Sequence, residues 1–299
     1  MKDFNWASRQ RILLEYNYNA WWNNLETIRF GIGKVKELPC DKSEFYDIAI
    51  TENCNLGCDF CYVAAKKGGK DYTNICEKAK YFFGLMSDND KPFQCAIGST
   101  GEPTIHPEFC EFLKTLFDLK IVPNYTTNGI TIAADSSLSK KILDYTEKYC
   151  GGVAVSANMF DNKIEKAWKK AVNKLSNIDV HINIHYIISD VESAIKFCEI
   201  YNEYKDIVKY FVLLPLMPSG RSTKKYTKDA FNIILNGDFD FSKISFGAHF
   251  YEDLKSQNKI QCWLYPPESY SKNLILDDSI KITPSSFNLT PIKTILWKK

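Results

Sequence analysis

Residues 51–62 read TENCNLGCDFCY and place Cys54, Cys58 and Cys61 in the spacing C-x3-C-x2-C. Three thiolates can hold a [4Fe-4S] cluster and leave one iron without a protein ligand. A structural zinc site needs a fourth protein ligand, and Cys40 and Cys76 are the nearest cysteines in the sequence. Neither belongs to a second C-x2-C pair, so the spacing favours an iron-sulfur centre with one position open to a small molecule.

Strand-like and helix-like segments alternate along the chain after this loop and just before it. Apolar or alternating runs predict strands at 46–50, 94–98, 121–127, 151–157, 180–188 and 209–216, and amphipathic segments fill the intervals between them. Successive βα units predict a parallel sheet with right-handed crossovers, either doubly wound or a complete or partial barrel. The cysteine loop follows the first strand, at the edge where such folds gather functional groups.

Two segments fall outside this alternation. Residues 1–45 are rich in aromatic side chains, as in YNYNAWW (16–22), and we expect them to pack on the barrel as an N-terminal extension. Residues 46–240 form the predicted barrel. Residues 241–299 contain the strand-like runs ISFGAHF and NLILDD, which predict a small C-terminal segment that caps the barrel.

Composition restricts the partners that this chain of 299 residues is expected to have. Its net charge of +2 makes a long nucleic acid an unlikely ligand. No secretory leader follows Met1, and no apolar run approaches the roughly 20 residues that span a bilayer, so we expect a cytoplasmic protein without membrane contact. Most cysteines outside the cluster stand alone in apolar surroundings, which indicates free thiols rather than disulfides.

The cysteine loop resembles that of the radical S-adenosylmethionine (radical SAM) superfamily, with the aromatic Phe60 before its last cysteine. The resemblance covers about residues 46–216 and implies an α/β fold, a partial (β/α)6 TIM-like barrel. It also implies that Cys54, Cys58 and Cys61 hold a [4Fe-4S] cluster whose open iron binds S-adenosylmethionine (SAM). Electron transfer would then split SAM into methionine and a 5′-deoxyadenosyl radical.

The segment STGEPTIHP (99–107) resembles a second motif of this family, Gly-Gly-Glu-Pro, with Thr100 in place of the first glycine. The resemblance implies that this turn receives the methionyl amino group of SAM. We expect Gly101 to let the backbone approach the ligand and Glu102 to accept a hydrogen bond from the ammonium. Pro103 would fix the turn.

Weaker matches at the ends of the later strands complete the implied SAM site. They are Thr126 and Asn128 after the third strand, Ser156 on the fourth, His185 on the fifth, and Leu214 with Pro215 on the sixth. The backbone of Tyr62 would meet the adenine by the same analogy. For His185, a structural role is as well supported by the sequence as a role in the site.

The segment 262–287 loosely resembles the auxiliary-cluster (SPASM or twitch-type) region of peptide-modifying radical SAM proteins. Cys262 is present, Asp277 and Asp278 occupy the turn, and Ser285 and Ser286 follow Pro284 where a cysteine would be expected. We therefore predict a single cluster, and an unrelated β-hairpin cap remains the alternative. If this segment closes over the barrel, its candidate catalytic residues are Cys262, Tyr265 and Glu268, with Tyr270 and His249 as further candidates for substrate contact.

The sequence thus predicts a radical SAM enzyme that abstracts hydrogen from a peptide or a small molecule. A low-potential electron donor of the flavodoxin or ferredoxin type is the implied partner. Three alternatives stay open, namely an iron-sulfur carrier or sensor that never cleaves SAM, a radical SAM enzyme acting on a nucleotide, and a zinc-stabilised binding module.

Overall fold

The computed structural model describes residues 4, 9–23, 26–30, 36–157, 162–256 and 271–297. The N-terminal segment forms a small antiparallel sheet of β1 (Arg9–Leu13), β2 (Tyr18–Asn23) and β3 (Glu26–Phe30). Its central strand buries Tyr18, Ala20 and Trp22, because alternate residues of a strand point to one face.

The main sheet contains six consecutive parallel strands, each followed by a crossover. They are β4 (Phe45–Ala49), β5 (Gln94–Ile97), β6 (Val122–Thr127), β7 (Gly152–Ser156), β8 (His181–Ile188) and β9 (Tyr210–Pro215). All six coincide within two residues with the strands predicted from periodicity. Their order in the sheet follows their order in the chain, as in a barrel.

The helices cover one face of this sheet. They are α1 (Ile75–Gly84), α2 (Phe109–Asp118), α3 (Ile130–Ala133), α4 (Ser137–Tyr149), α5 (Asn162–Leu175), α6 (Val191–Tyr204), α7 (Lys228–Leu235) and α8 (Tyr251–Ser256). Helix α4 is capped by Ser136, whose hydroxyl accepts from the Ser139 N–H. In the described ranges, none of these helices is long and apolar enough to cross a bilayer.

The opposite face of the sheet lines a lumen. On β8, Ile182, Ile184 and Ile188 are buried against the helices, whereas His181 and His185 alternate with them and are half-buried. Strict alternation therefore places the polar positions of the barrel strands on the lumen side.

The C-terminal segment joins the same sheet at both edges. Strand β10 (Ile244–Phe246) pairs in parallel with β9, and β11 (Ser271–Ile275) pairs in parallel with β4. Strands β12 (Ile280–Thr283) and β13 (Lys293–Ile295) follow in antiparallel order. The predicted β appendage is thus continuous with the sheet, because it pairs the exposed N–H and C=O groups of the edge strands. Among the described strands β10 and β13 end the order, so the barrel is partial.

The N-terminal sheet packs against the amino-terminal ends of two barrel strands. Trp22 of β2 stacks on Phe93, with ring centroids 5.9 Å apart, and Val122 at the start of β6 belongs to the same cluster. The guanidinium of Arg9 donates to the Pro92 carbonyl at 2.7 Å. These contacts attach residues 9–30 to the end of the barrel opposite the cysteine loop.

We predict that Phe93→Ala lowers the free energy of unfolding by about 3–5 kcal/mol, because Phe93 is fully buried and the change leaves a cavity beneath Trp22. Urea denaturation followed by tryptophan fluorescence measures the effect. Leu14→Ala is the control, because its side chain is 83% exposed and its loss should leave stability unchanged. Equal stability of the two variants would contradict the packing described here.

Candidate active site

One cavity of about 510 Å³ opens at the carboxyl ends of the barrel strands and brings the predicted site residues together. Cys54, Cys58 and Cys61 line it. So does every residue predicted to contact SAM, namely Tyr62, Gly101, Glu102, Thr126, Asn128, Ser156, His185, Leu214 and Pro215. The cavity therefore brings together groups from the six barrel strands, β4 to β9, at one edge of the sheet.

The cysteine loop is irregular and is held by its own backbone. The Cys54 N–H donates to the Lys66 carbonyl at 3.1 Å, and the Cys61 N–H donates to the Cys58 carbonyl at 3.1 Å. All three thiols are free and half-buried. The Leu56 N–H donates to Cys54 Sγ at 3.4 Å, a contact that stabilises negative charge on the sulfur.

The chemistry of these thiols fits a bound metal centre. Burial raises the pKa of Cys54 to about 11 and also raises the pKa of Cys58, so both thiols stay protonated at neutral pH until a metal centre binds them. In the described part of the chain, no three His, Cys, Asp or Glu side chains are arranged to hold a single metal ion. A polynuclear cluster does not require its cysteines to converge on one ion, because each binds a different iron.

The two cysteines considered as a fourth zinc ligand lie elsewhere. Cys76 is buried on α1, and the Cys40 carbonyl accepts a hydrogen bond from the Tyr46 hydroxyl beneath the barrel strands. Neither lines the cavity that contains Cys54, Cys58 and Cys61. Among the described residues, the arrangement therefore gives a site of three cysteines.

The turn after β5 packs directly on the base of the cysteine loop. The Thr100 hydroxyl donates to the Thr51 carbonyl at 2.6 Å, and the Glu102 N–H donates to the Asn53 carbonyl at 2.9 Å. A Cβ at Gly101 would lie 2.4 Å from the Asn53 carbonyl oxygen. The physical reason predicted for Gly101 is thus incomplete, because its missing side chain first admits the protein's own backbone.

Glu102 is fixed by four hydrogen bonds from the protein. Its Oε1 accepts from the Thr104 N–H at 3.2 Å, the Thr104 hydroxyl at 2.6 Å and the Thr127 hydroxyl at 2.8 Å. Its Oε2 accepts from the Asn128 N–H at 2.8 Å. Burial raises the pKa of Glu102, and these hydrogen bonds oppose the rise. Oε2 keeps the capacity to accept one further donor, whereas Oε1 is saturated.

Asn128 connects the third strand to the cysteine loop. Its Nδ2 donates to Asn55 Oδ1 at 2.7 Å, and its Oδ1 accepts from the Ile130 N–H at 3.0 Å. One N–H of the amide is left for another acceptor in the cavity. Asn128 therefore has a structural role in addition to the SAM contact predicted for it.

The segment Ser219–Arg221, which follows β9, holds the cysteine loop from the other side. The Arg221 backbone N–H donates to the Cys61 carbonyl at 3.0 Å. The Arg221 side chain donates from Nε to the Cys58 carbonyl and from Nη1 to the Ala65 carbonyl, both at 2.8 Å. Gly220 has φ +62°, and a Cβ there would lie 2.2 Å from the Cys61 carbonyl oxygen. We call this segment the Arg221 strap.

The sequence did not predict the Arg221 strap, because the resemblance at the sixth predicted strand reached only Leu214 and Pro215. The sequence does contain a signal for it. Ser-Gly-Arg directly follows a barrel strand, and these residues favour a turn and supply hydrogen-bond donors. Its partners, however, lie more than 150 positions away in sequence.

Tyr62 closes one wall of the cavity with aromatic neighbours. Its hydroxyl donates to the Ser99 carbonyl at 2.8 Å. Its ring stacks on that of Phe287, with ring centroids 4.5 Å apart. His249 also contacts Phe287, with ring centroids 4.3 Å apart. The Tyr62 carbonyl already accepts from the Ser219 hydroxyl at 3.0 Å, so the predicted adenine contact would have to use its remaining lone pair or the N–H.

His185 and Ser156 lie side by side on the lumen face, because they are register partners on β8 and β7. Burial lowers the pKa of His185 to about 4, so the imidazole is neutral at physiological pH. Thr126 and Leu214 line the same cavity on β6 and β9.

The C-terminal hairpin also reaches the cavity. The predicted turn at Asp277 and Asp278 is confirmed between β11 and β12, and the Asp278 carboxylate pairs with Lys70 at 2.6 Å. Ser285 and Ser286, just beyond β12, line the cavity. The candidate catalytic residues Cys262, Tyr265 and Glu268, together with Tyr270, lie outside the described residues.

Comparison with known proteins identifies similar chains. A family model described as "Radical SAM superfamily" matches residues 48–211. The curated 7,8-dihydro-6-hydroxymethylpterin dimethyltransferase of Methanocaldococcus jannaschii is 28% identical over 130 residues, which make up 43% of this chain and 24% of that protein. The chain thus spans about a quarter of the length of this relative.

Solved structures share the fold. SuiB of Streptococcus suis, bound to precursor peptide SuiA, matches with a TM-score of 0.62 at 16% identity, covering 84% of this chain and 62% of SuiB. Native anSMEcpe with bound AdoMet and the Cp18Cys peptide matches with a TM-score of 0.57 at 16% identity, covering 82% of this chain and 75% of that chain. Together with the family match, these neighbours confirm the α/β class and the partial barrel.

We predict that Gly220→Ala lowers the iron bound per chain severalfold after anaerobic reconstitution. The added Cβ collides with the Cys61 carbonyl and strains the backbone at a positive φ, so the Arg221 strap cannot hold the loop. Iron analysis and the visible absorption of the cluster report the change. Gly84→Ala is the matched control, because a Cβ there meets nothing within 4 Å. Full iron loading of Gly220→Ala would rule out this role for the strap.

We predict that the His185 ring is neutral at pH 6 and titrates only below pH 5. Its pKa in the folded protein lies below the ordinary 6.5, so the stability it contributes is lost as pH falls from about 6.5 to 4. Long-range ¹H–¹⁵N spectra of the cluster-free protein, assigned with His185→Gln, measure the titration. A midpoint near 6.5 would show that the ring is solvated.

Proposed function

Since this chain belongs to the radical SAM superfamily, we propose that it abstracts a hydrogen atom from a peptide or small-molecule substrate bound in the barrel lumen. The superfamily uses a [4Fe-4S] cluster and SAM as cofactors, and the chain is a radical SAM enzyme. The observation that carries the proposal is the shared cavity, which places three free cysteines and the predicted SAM-contacting residues around one space.

Cys54, Cys58 and Cys61 would ligate the cluster in this proposal. When the cluster and SAM are bound and an electron is supplied, they provide a 5′-deoxyadenosyl radical. The side chains around the cluster and SAM would bind SAM and orient it. Glu102 Oε2 and the second N–H of Asn128 keep hydrogen-bonding capacity beside the cysteine loop. Ser156, Thr126, His185 and Leu214 line the wall, and the ring stack of Tyr62 and Phe287 limits the access of water.

An external electron donor of low potential, of the flavodoxin or ferredoxin type, completes the proposal. Gly57 and Asp59 are exposed between the cysteines, so the loop reaches the protein surface. This exposure supports docking of the donor at the loop rather than electron entry through the lumen.

A peptide is the first substrate class we propose. The structures of SuiB with a precursor peptide and of anSMEcpe with a peptide support it. The curated pterin dimethyltransferase supports a small molecule as the second class. Cys262, Tyr265 and Glu268 stay our candidates for groups that contact the substrate from residues 241–299.

The experiment that tests this function measures 5′-deoxyadenosine formed from SAM by the anaerobically reconstituted, dithionite-reduced protein. We expect the wild type to form the product and Cys58→Ala to form no more than the protein-free blank, because the cluster loses a ligand. Cys198→Ala is the matched control and should equal the wild type, because Cys198 is a half-buried thiol on α6 outside the cavity. A wild-type protein with a full cluster and bound SAM that forms no product, with or without added peptide, would contradict the proposal.

A further inference from the structure

An acidic side chain faces the lumen from the first barrel strand. On β4, Tyr46 and Ile48 are buried against the helices, so Phe45 and Asp47 point to the opposite face. Asp47 lines the cavity that contains the three cysteines. In the described ranges its carboxylate has no hydrogen bond or ion pair. Burial is the sole cause that raises the pKa of Asp47 to about 7, and no neighbouring charge opposes it.

A second acceptor without a donor lies next to Asp47. Asn273 is its register partner on β11, so both side chains leave the sheet on the same face. Asn273 is fully buried and lines the same cavity. Its Oδ1 has no hydrogen-bond partner in the part of the chain that the structure describes.

The orientation of the Asn273 amide follows from its neighbour. The Thr283 hydroxyl donates to the Ser285 carbonyl at 3.1 Å, so its oxygen is free only to accept. It accepts from Asn273 Nδ2 at 3.0 Å. With the Thr283 proton donated to Ser285, Asn273 Nδ2 faces Thr283 and Oδ1 lies on the side away from it.

While Asp47 is ionised, two neighbouring acceptors without a donor destabilise this buried site. A carbonyl or an anion would add a further acceptor and more repulsion. A cationic nitrogen group instead supplies several N–H donors and offsets the charge of the carboxylate. The nearest basic side chain on β11 is Lys272, which pairs with Glu37 at 3.0 Å, and the neutral His185 carries no positive charge.

We propose that Asp47 and Asn273 bind a positively charged nitrogen group of the substrate, an ammonium or a guanidinium. This inference rests on the proposed function, because it assigns the substrate class of the same cavity. The candidate SAM contacts lie on β6 to β9 and in the loops after β4, β5 and β6, whereas this pair lies within β4 and β11. A lysine or arginine side chain, a peptide amino terminus or a small amine meets the requirement.

Calorimetry of the cluster-loaded, SAM-saturated protein tests the assignment with three probes of similar shape. These are butylguanidinium, butylammonium and the neutral butylurea. We expect both cations to bind at least about tenfold more tightly than butylurea, and Asp47→Asn to weaken cation binding at least about tenfold without changing SAM affinity. Asn273→Leu should weaken it by a smaller factor. Asp118→Asn, an exposed carboxylate on α2, is the matched control and should match the wild type.

Three results would overturn the inference. The first is that butylurea binds as tightly as the cations. The second is that the wild-type protein binds SAM but neither cation. The third is that the Asp47→Asn variant binds SAM and keeps the full affinity for the cations. If Asp47→Asn fails to bind SAM, Asn273→Leu and the butylurea comparison decide. The same titrations on cluster-free protein separate the two proposals, because failure to load cluster or SAM counts against the proposed function alone.

Discussion

The carbonyl oxygens of the cysteine loop need hydrogen-bond donors, and the geometry of the site depends on the residues that supply these donors. The loop is neither helix nor strand, so its own backbone satisfies only part of its N–H and C=O groups. Arg221 donates to three of these carbonyls, at Cys58, Cys61 and Ala65. Donors from the turn after β5 reach the carbonyls of Thr51 and Asn53 on the other side. The three cysteines are therefore positioned by segments more than forty residues away in sequence.

This arrangement requires close approach of backbones, which explains the two glycines at the contacts. Gly101 lies against the carbonyls of Thr51 and Asn53, and Gly220 lies against Cys61 and Tyr62. The parallel order of the strands brings the turns after β4, β5, β6 and β9 to one edge of the sheet. The fold therefore determines which segments meet at the site. A loop held in this way loses little conformational entropy when it binds a cluster, and preorganisation of this kind favours binding.

The sequence was most informative where chemistry or periodicity is local. Alternation placed all six barrel strands within two residues, and the spacing of three cysteines pointed to a loop that lines the cavity. It was least informative about contacts between distant segments. Strand β11 pairs with β4 across more than 200 residues, and no local pattern specifies that partner. The sequence did not reveal Arg221, because its hydrogen-bond partners are three carbonyls far away in the sequence. It did not reveal Asp47 either, because one carboxylate in an apolar run resembles an ordinary interruption of a strand.

The contacts of Glu102 narrow the role that the sequence predicts for it. The motif pointed to it as an acceptor for the ligand, yet Oε1 is saturated by Thr104 and Thr127, and only Oε2 has capacity left. The central claim is that three cysteines hold a cluster with one iron open to SAM. Electron paramagnetic resonance of the reduced, reconstituted protein with and without SAM tests it most directly. The account predicts a [4Fe-4S]⁺ signal whose g values shift when SAM is added, and a spectrum that SAM leaves unchanged would contradict it.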